Sequence, residues 1–122
     1  MRIPALCLLA LALPAWAEVQ NGQTVYESTC ITCHGEGKLG APRLGDKTRW
    51  QKLIREGLDD LVPAALRGIR KMPAKGGNAA LSDIEVASAV VYMANAGGGE
   101  FSSPTLADAA RWRTKANRGK KH

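Results

Sequence analysis

Cys30-Ile31-Thr32-Cys33-His34 is the stretch on which the reading of this chain turns. Two thiols three positions apart lie on one side of a single helical turn, so both can add across the vinyl groups on one edge of a haem. His34 follows the second anchor directly, which holds its imidazole beneath the metal without a pre-built pocket. Imidazole is the usual proximal ligand of haem iron. A Cys-x-x-Cys pair also occurs in zinc sites and in thiol-redox sites. Zinc needs four ligands, and beyond residue 17 the chain offers only Cys30, Cys33, His34 and His122 as soft or borderline donors. A thiol-redox motif belongs at the head of a helix after a strand, whereas Val25-Tyr26-Glu27-Ser28-Thr29 has no strand-like alternation. The favoured reading is one covalent haem c, joined through Cys30 and Cys33, with His34 on its iron.

Working outward, residues 1–17 read as an export signal. Arg2 supplies the positive start, Ala5 to Leu13 an apolar run too short to span a membrane, and Ala15-Trp16-Ala17 a small-x-small cleavage site. Cys7 then leaves with the leader, and haem takes the other two cysteines, so no disulfide is expected. Glu18 to His122 is one domain at most, with a core that is marginal on apolar side chains alone. A buried porphyrin would supply much of what is missing. Residues 18–103 hold ten Lys/Arg against ten Asp/Glu, whereas residues 104–122 hold six Lys/Arg against Asp108 alone. The basicity therefore sits in a C-terminal extension. No long apolar segment, repeat or low-complexity tract follows the leader.

In order, Asn21 caps a first helix that runs into the haem motif with Val25 and Tyr26 as its buried pair. Gly35 to Gly45 is a glycine-rich loop able to turn tightly around a flat ligand, or simply an ordinary surface loop. Asp46 caps a second helix, ending near Gly57, in which Trp50, Leu53 and Ile54 share a face. Trp50 reads as core, with a haem propionate as one acceptor for its indole N–H. Asp59 and Asp60 begin a third helix with Pro63 in its first turn and Gly68 at its end.

Met72 precedes Pro73, which holds it extended and outside a helix, so its thioether can reach the second axial face of the iron. Its competitor is Met93, which shares the helical spacing of Ile84, Ala87, Val90, Val91 and Ala94 behind the capping box Ser82-Asp83-Ile84-Glu85. A methionine at that spacing is usually core. This helix ends at Gly97-Gly98-Gly99, and its Tyr92 is placed to pack against the first helix. A further helix can run from Thr105 to about Ala116, followed by residues that read as disordered from Asn117.

On these residues the chain resembles the monohaem class I cytochromes c, and the small bacterial c-five group most closely. The resemblance spans about residues 20–97: Cys30, Cys33 and His34, then Gly40-Ala41-Pro42-Arg43-Leu44-Gly45-Asp46, Trp50, and Met72-Pro73-Ala74-Lys75-Gly76-Gly77. It implies an all-α class I cytochrome c fold, about four short helices wrapped around one covalently bound haem, over residues 18–103. It adds weight to Met72 as the second ligand. It also implies that the Pro42 carbonyl accepts the N–H of His34, which would orient the ring and raise its donor strength. Haem attachment in such bacterial proteins takes place outside the inner membrane, so a periplasmic location is implied. The group often has an extra cysteine pair after the Lys-Gly-Gly segment, where this chain has Asn78-Ala79-Ala80-Leu81.

An iron closed by His34 and Met72 has no vacant site for substrate, so the expectation is a monomeric single-electron carrier, not an enzyme. Its partners would be redox proteins, with no small-molecule substrate and no nucleic acid. The tail's charges read either as a solvated, mobile segment or as a steering patch for an acidic surface or anionic membrane. Two alternatives keep the haem: a subunit of a larger dehydrogenase or oxidase complex, or a haem enzyme if Met72 dissociates.

Overall fold

The computed structural model describes residues 19–119, so the leader, Cys7 and the last three residues lie outside it. Among the described residues the architecture is all helical, with one isolated antiparallel bridge between Ile69 and Met72. The helices are α1 (Gly22–Val25), α2 (Ile31–His34), α3 (Lys47–Glu56), α4 (Leu58–Arg67), α5 (Asp83–Ala96) and α6 (Leu106–Arg118). None is long and apolar enough to cross a membrane. A π-helical turn, Tyr26–Cys30, joins α1 to α2, so one helical run delivers the chain to His34. Such turns widen a helix locally and cluster at functional sites.

The starts obey the local chemistry of the sequence. Asn21, Asp46, Ser82 and Thr105 each accept a backbone N–H of the helix that follows, and the last two form reciprocal capping boxes with Glu85 and Asp108. The start of α4 differs from expectation. Gly57, at φ 84°, turns the chain straight out of α3, and Leu58 packs on the core, so the helix begins before Asp59. Pro63 therefore lies in the helix interior, fully buried, and the Asp59 carbonyl loses its helical donor.

Two apolar clusters form the core. The first joins Val25 to Val62 and Leu66 of α4, Val86 and Val90 of α5, and Trp112 of α6. The second gathers Tyr26, Trp50, Met93 and Ala94. Cys30 is the one partly buried neighbour common to both. α1 and α5 cross backbone to backbone at Gly22, where a methyl group would collide with the Ser88 carbonyl. Tyr26 stacks on Tyr92 across this crossing, ring centroids 5.4 Å apart, as the sequence leads one to expect.

As far as Gly119, the tail is not the mobile segment that its composition suggests. α6 is docked on α4 and α5, burying Ala109, Trp112 and Ala116. The Trp112 indole N–H donates to Asp59 at 2.7 Å, and Arg111, Arg113 and Lys115 reach Asp59, Asp83 and Asp60. Helix continues through Asn117 to Arg118, because Ala116 is in the core and Gly119 closes over the Arg67 side chain.

Candidate metal centre

Cys30 ends the π-helical turn and Cys33 sits in α2, both as free, partly buried thiols. Burial pushes the Cys30 thiol up to about 11. That is opposite to the depressed value a nucleophilic redox thiol requires, so a dithiol oxidoreductase is disfavoured on chemistry. Among the described residues no three His, Cys, Asp or Glu side chains converge on a common point.

His34 is buried, and its Nδ1 lies 2.8 Å from the Pro42 carbonyl. A carbonyl only accepts, so the proton belongs on Nδ1 and the Nε2 lone pair is left for a metal. The loop presenting Pro42 is built for this contact. It turns through left-handed backbone at Gly37, Leu39, Gly40 and Gly45, and the Leu44 N–H donates back to the His34 carbonyl at 2.9 Å. α3 then clamps both flanks of Pro42: Arg49 donates to the Gly40 carbonyl at 3.0 Å, and the Trp50 indole to the Arg43 carbonyl at 2.9 Å. The Trp50 indole N–H, for which the sequence offered a haem propionate as one acceptor, donates here to a backbone carbonyl of the neighbouring loop. Trp50 serves the site by holding that loop, with its ring 6.4 Å from the imidazole.

The two methionines sit in different settings. Met93 is almost completely buried in the second cluster, on α5, as its spacing suggests. Met72 is partly exposed in an irregular segment and packs against the first cluster. A tight turn fixes it, with reciprocal backbone bonds to Ile69 of 2.8 and 3.0 Å around a left-handed Arg70. Asn78 donates to the Thr29 hydroxyl at 3.2 Å, which ties the Met72 segment to the turn carrying Cys30. Sequence reasoning misses this tie and the Arg49 clamp, because each joins residues brought together only by folding.

The donor set fits a covalently tethered haem: two thiols on one turn, an imidazole oriented through Nδ1, and apolar clusters meeting at Cys30. Two surface grooves, of about 410 and 430 Å³, lie elsewhere, by α6 and by α3, and neither touches Cys30, Cys33, His34 or Met72.

Comparison with known proteins agrees with that chemistry. Residues 17–93 match the family model described as cytochrome C oxidase, cbb3-type, subunit III. The chain is similar to cytochrome c-555 of Chlorobaculum tepidum, 45% identical over 59% of this chain and 70% of that protein. It is similar to cytochrome c5 of Ectopseudomonas mendocina, 36% identical over 67% of this chain and 97% of that protein. A solved cytochrome c in an electron transfer complex with nitrite reductase superposes with a TM-score of 0.60 at 39% identity, over 62% of this chain and 93% of that one.

Proposed function

This chain belongs to the class I monohaem cytochromes c, and from that premise we propose that it is a periplasmic single-electron carrier whose iron is held between His34 and Met72. Its cofactor is a covalently attached haem c, with Cys30 and Cys33 as the anchors. The observation that supports the ligation most is the His34 to Pro42 hydrogen bond, which frees Nε2 next to the anchoring thiols. When bound, the haem supplies a ferric/ferrous couple that takes or gives one electron.

The protein's residues do the rest. Cys30 and Cys33 tether, and His34 is held in one orientation by a loop that Arg49 and Trp50 clamp. A thioether supplied by Met72 would favour the ferrous state and, together with His34, would leave no position for oxygen, peroxide or substrate. The buried Tyr26, Trp50 and Met93 cluster excludes water, which disfavours the extra charge of the ferric state. Fixed ligands also keep reorganisation small as an electron passes.

Export rests on the residue 1–17 leader, which lies outside the described residues, and residues 18–103 and 104–122 are read as the haem domain and its extension. Redox proteins are the partners. The steering charge is assigned to α3 instead of α6. Lys47, Arg49, Lys52 and Arg55 are exposed there and form no ion pair among the described residues, whereas the bases of α6 are largely paired within the molecule. Exposed Ile31 and Leu39 offer apolar contact beside the anchoring thiols.

The test is acid–acetone extraction of exported protein, followed by a reduced-minus-oxidised spectrum. Colour stays with the polypeptide if attachment is covalent. Replacing Met72 by Ala should abolish the weak thioether-to-ferric-iron band, and replacing Met93 should leave it. A second reading, a subunit of an oxidase complex, draws on the description of the matching family model. It requires stable co-purification with a membrane complex, whereas a carrier purifies alone.

A further inference from the structure

We infer that Arg113 is a positioning residue for Met72, acting from a helix beyond the family match through Asp83 and Lys75. The inference rests on the proposed ligation by His34 and Met72.

The segment after Met72 has little regular structure to hold it. Lys75 and Gly76 both adopt left-handed backbone, at φ 55° and 65°, and an L-residue such as Lys75 stays there only when tertiary contacts compensate. Those contacts converge on the Lys75 ammonium. It donates to the Leu81 carbonyl at 2.6 Å and lies 3.5 Å from Asp83 Oδ1. Arg113 takes the same carboxylate with both prongs of its guanidinium, Nε to Oδ2 at 3.0 Å and a terminal nitrogen to Oδ1 at 2.7 Å. A bidentate fork fixes a carboxylate in orientation as well as place.

Chain, loop and helix are therefore linked in series: α6 through Arg113, α5 through Asp83, and the Met72 segment through Lys75. The three groups are only a fifth to a third exposed. Arg113, by its hydrogen bonds first and its charge second, holds the Asp83 carboxyl below its ordinary range, against the opposing pull of burial. The other pairs of α6 offer an internal control. Arg111 to Asp59 and Lys115 to Asp60 are more than half exposed, end on α4, and share no hydrogen bond or ion pair with the Met72 segment.

Loss of Arg113 frees Asp83 to turn to solvent, and Lys75 keeps only the Leu81 carbonyl as a fixed partner. The population with the thioether off the iron rises, and an outside ligand competing for that position binds correspondingly better. The test uses the holoprotein and imidazole as probe, with the thioether-to-iron band as a second readout. Arg113→Ala should tighten imidazole binding to the ferric form by about threefold to tenfold, the span of a modest coupling through packed side chains. Arg113→Lys, which keeps the charge but not the fork, should recover only part of the difference. Arg111→Ala should stay within about twofold of the unaltered protein.

If Arg113→Ala does not fold, Asp83→Asn removes the charge and one of the two acceptor oxygens at constant size and should shift imidazole binding in the same direction. Unchanged imidazole affinity in the folded Arg113 or Asp83 variant overturns the inference, as does an equal rise in Arg111→Ala, which would report general loosening. Met72→Ala separates this from the ligation itself. If Met72→Ala keeps the band, the ligation fails and the inference with it; if Met72→Ala abolishes the band while Arg113→Ala changes nothing, only the inference fails.

Discussion

Glu85 shows how one side chain joins local and distant chemistry. Its burial alone would raise its pKa, but hydrogen bonds from the backbone of Ser82 and Gln20 outweigh that, and the carboxyl lies below its ordinary value. Asp83 is depressed as well, chiefly by Arg113. A carboxyl with a lowered folded value is protonated more readily in the unfolded chain. Its contribution is therefore full above the ordinary carboxylate range, about pH 4, and is lost as pH falls below it. Thermal unfolding of the holoprotein from pH 7 to pH 3 should show a flat region and then a fall, and Glu85→Gln should start lower and fall less steeply. At this scale half of the chemistry was legible. The Ser82 and Glu85 box is visible in four consecutive residues, but nothing near Asp83 announces Arg113, thirty positions on.

Among the elements, α6 departs most from its appearance in sequence. Its basic residues give the sign of its charge but not the address of each partner, and three carboxylates on α4 and α5 take them up. Trp112 anchors it, with about 3% of its surface exposed, its N–H on Asp59 and Arg111 5.3 Å over its ring. Trp112→Ala should cost about 3–5 kcal/mol in denaturant unfolding of the holoprotein, a large share of the stability of a domain this size. A loss below about 1 kcal/mol would mean a loosely attached helix. The starts of α1, α3 and α5 were readable from their capping residues, since a cap is a local bond, whereas Thr105, read as the first residue of α6, is its cap. The start of α4 was not, because the core contact of Leu58 overrode the local signal of Asp59 and Pro63. The acceptor of Trp50 was hidden for the same reason, being set by where the Pro42 loop comes to rest.

For the whole molecule, the sequence's charge count located basicity in the last residues, and folding redistributed it. What remains unpaired on α3 lies on the helix whose buried face carries Trp50 beside His34. Electron exchange with anionic ferricyanide should slow about tenfold or more at low salt in a Lys52→Glu, Arg55→Glu variant, while Arg111→Gln changes it little. Stopped-flow rates across ionic strength measure this, and equal slowing in both variants would return the steering to α6. The crossing of Gly22 on Ser88 has a consequence of another kind. The segment with the attachment cysteines is made near the beginning, but the surface that locks it in place arrives near the end. If the chain is exported as proposed, both sulfurs emerge before the helix that packs against Gly22, so the attachment segment stays accessible until α5 follows it out.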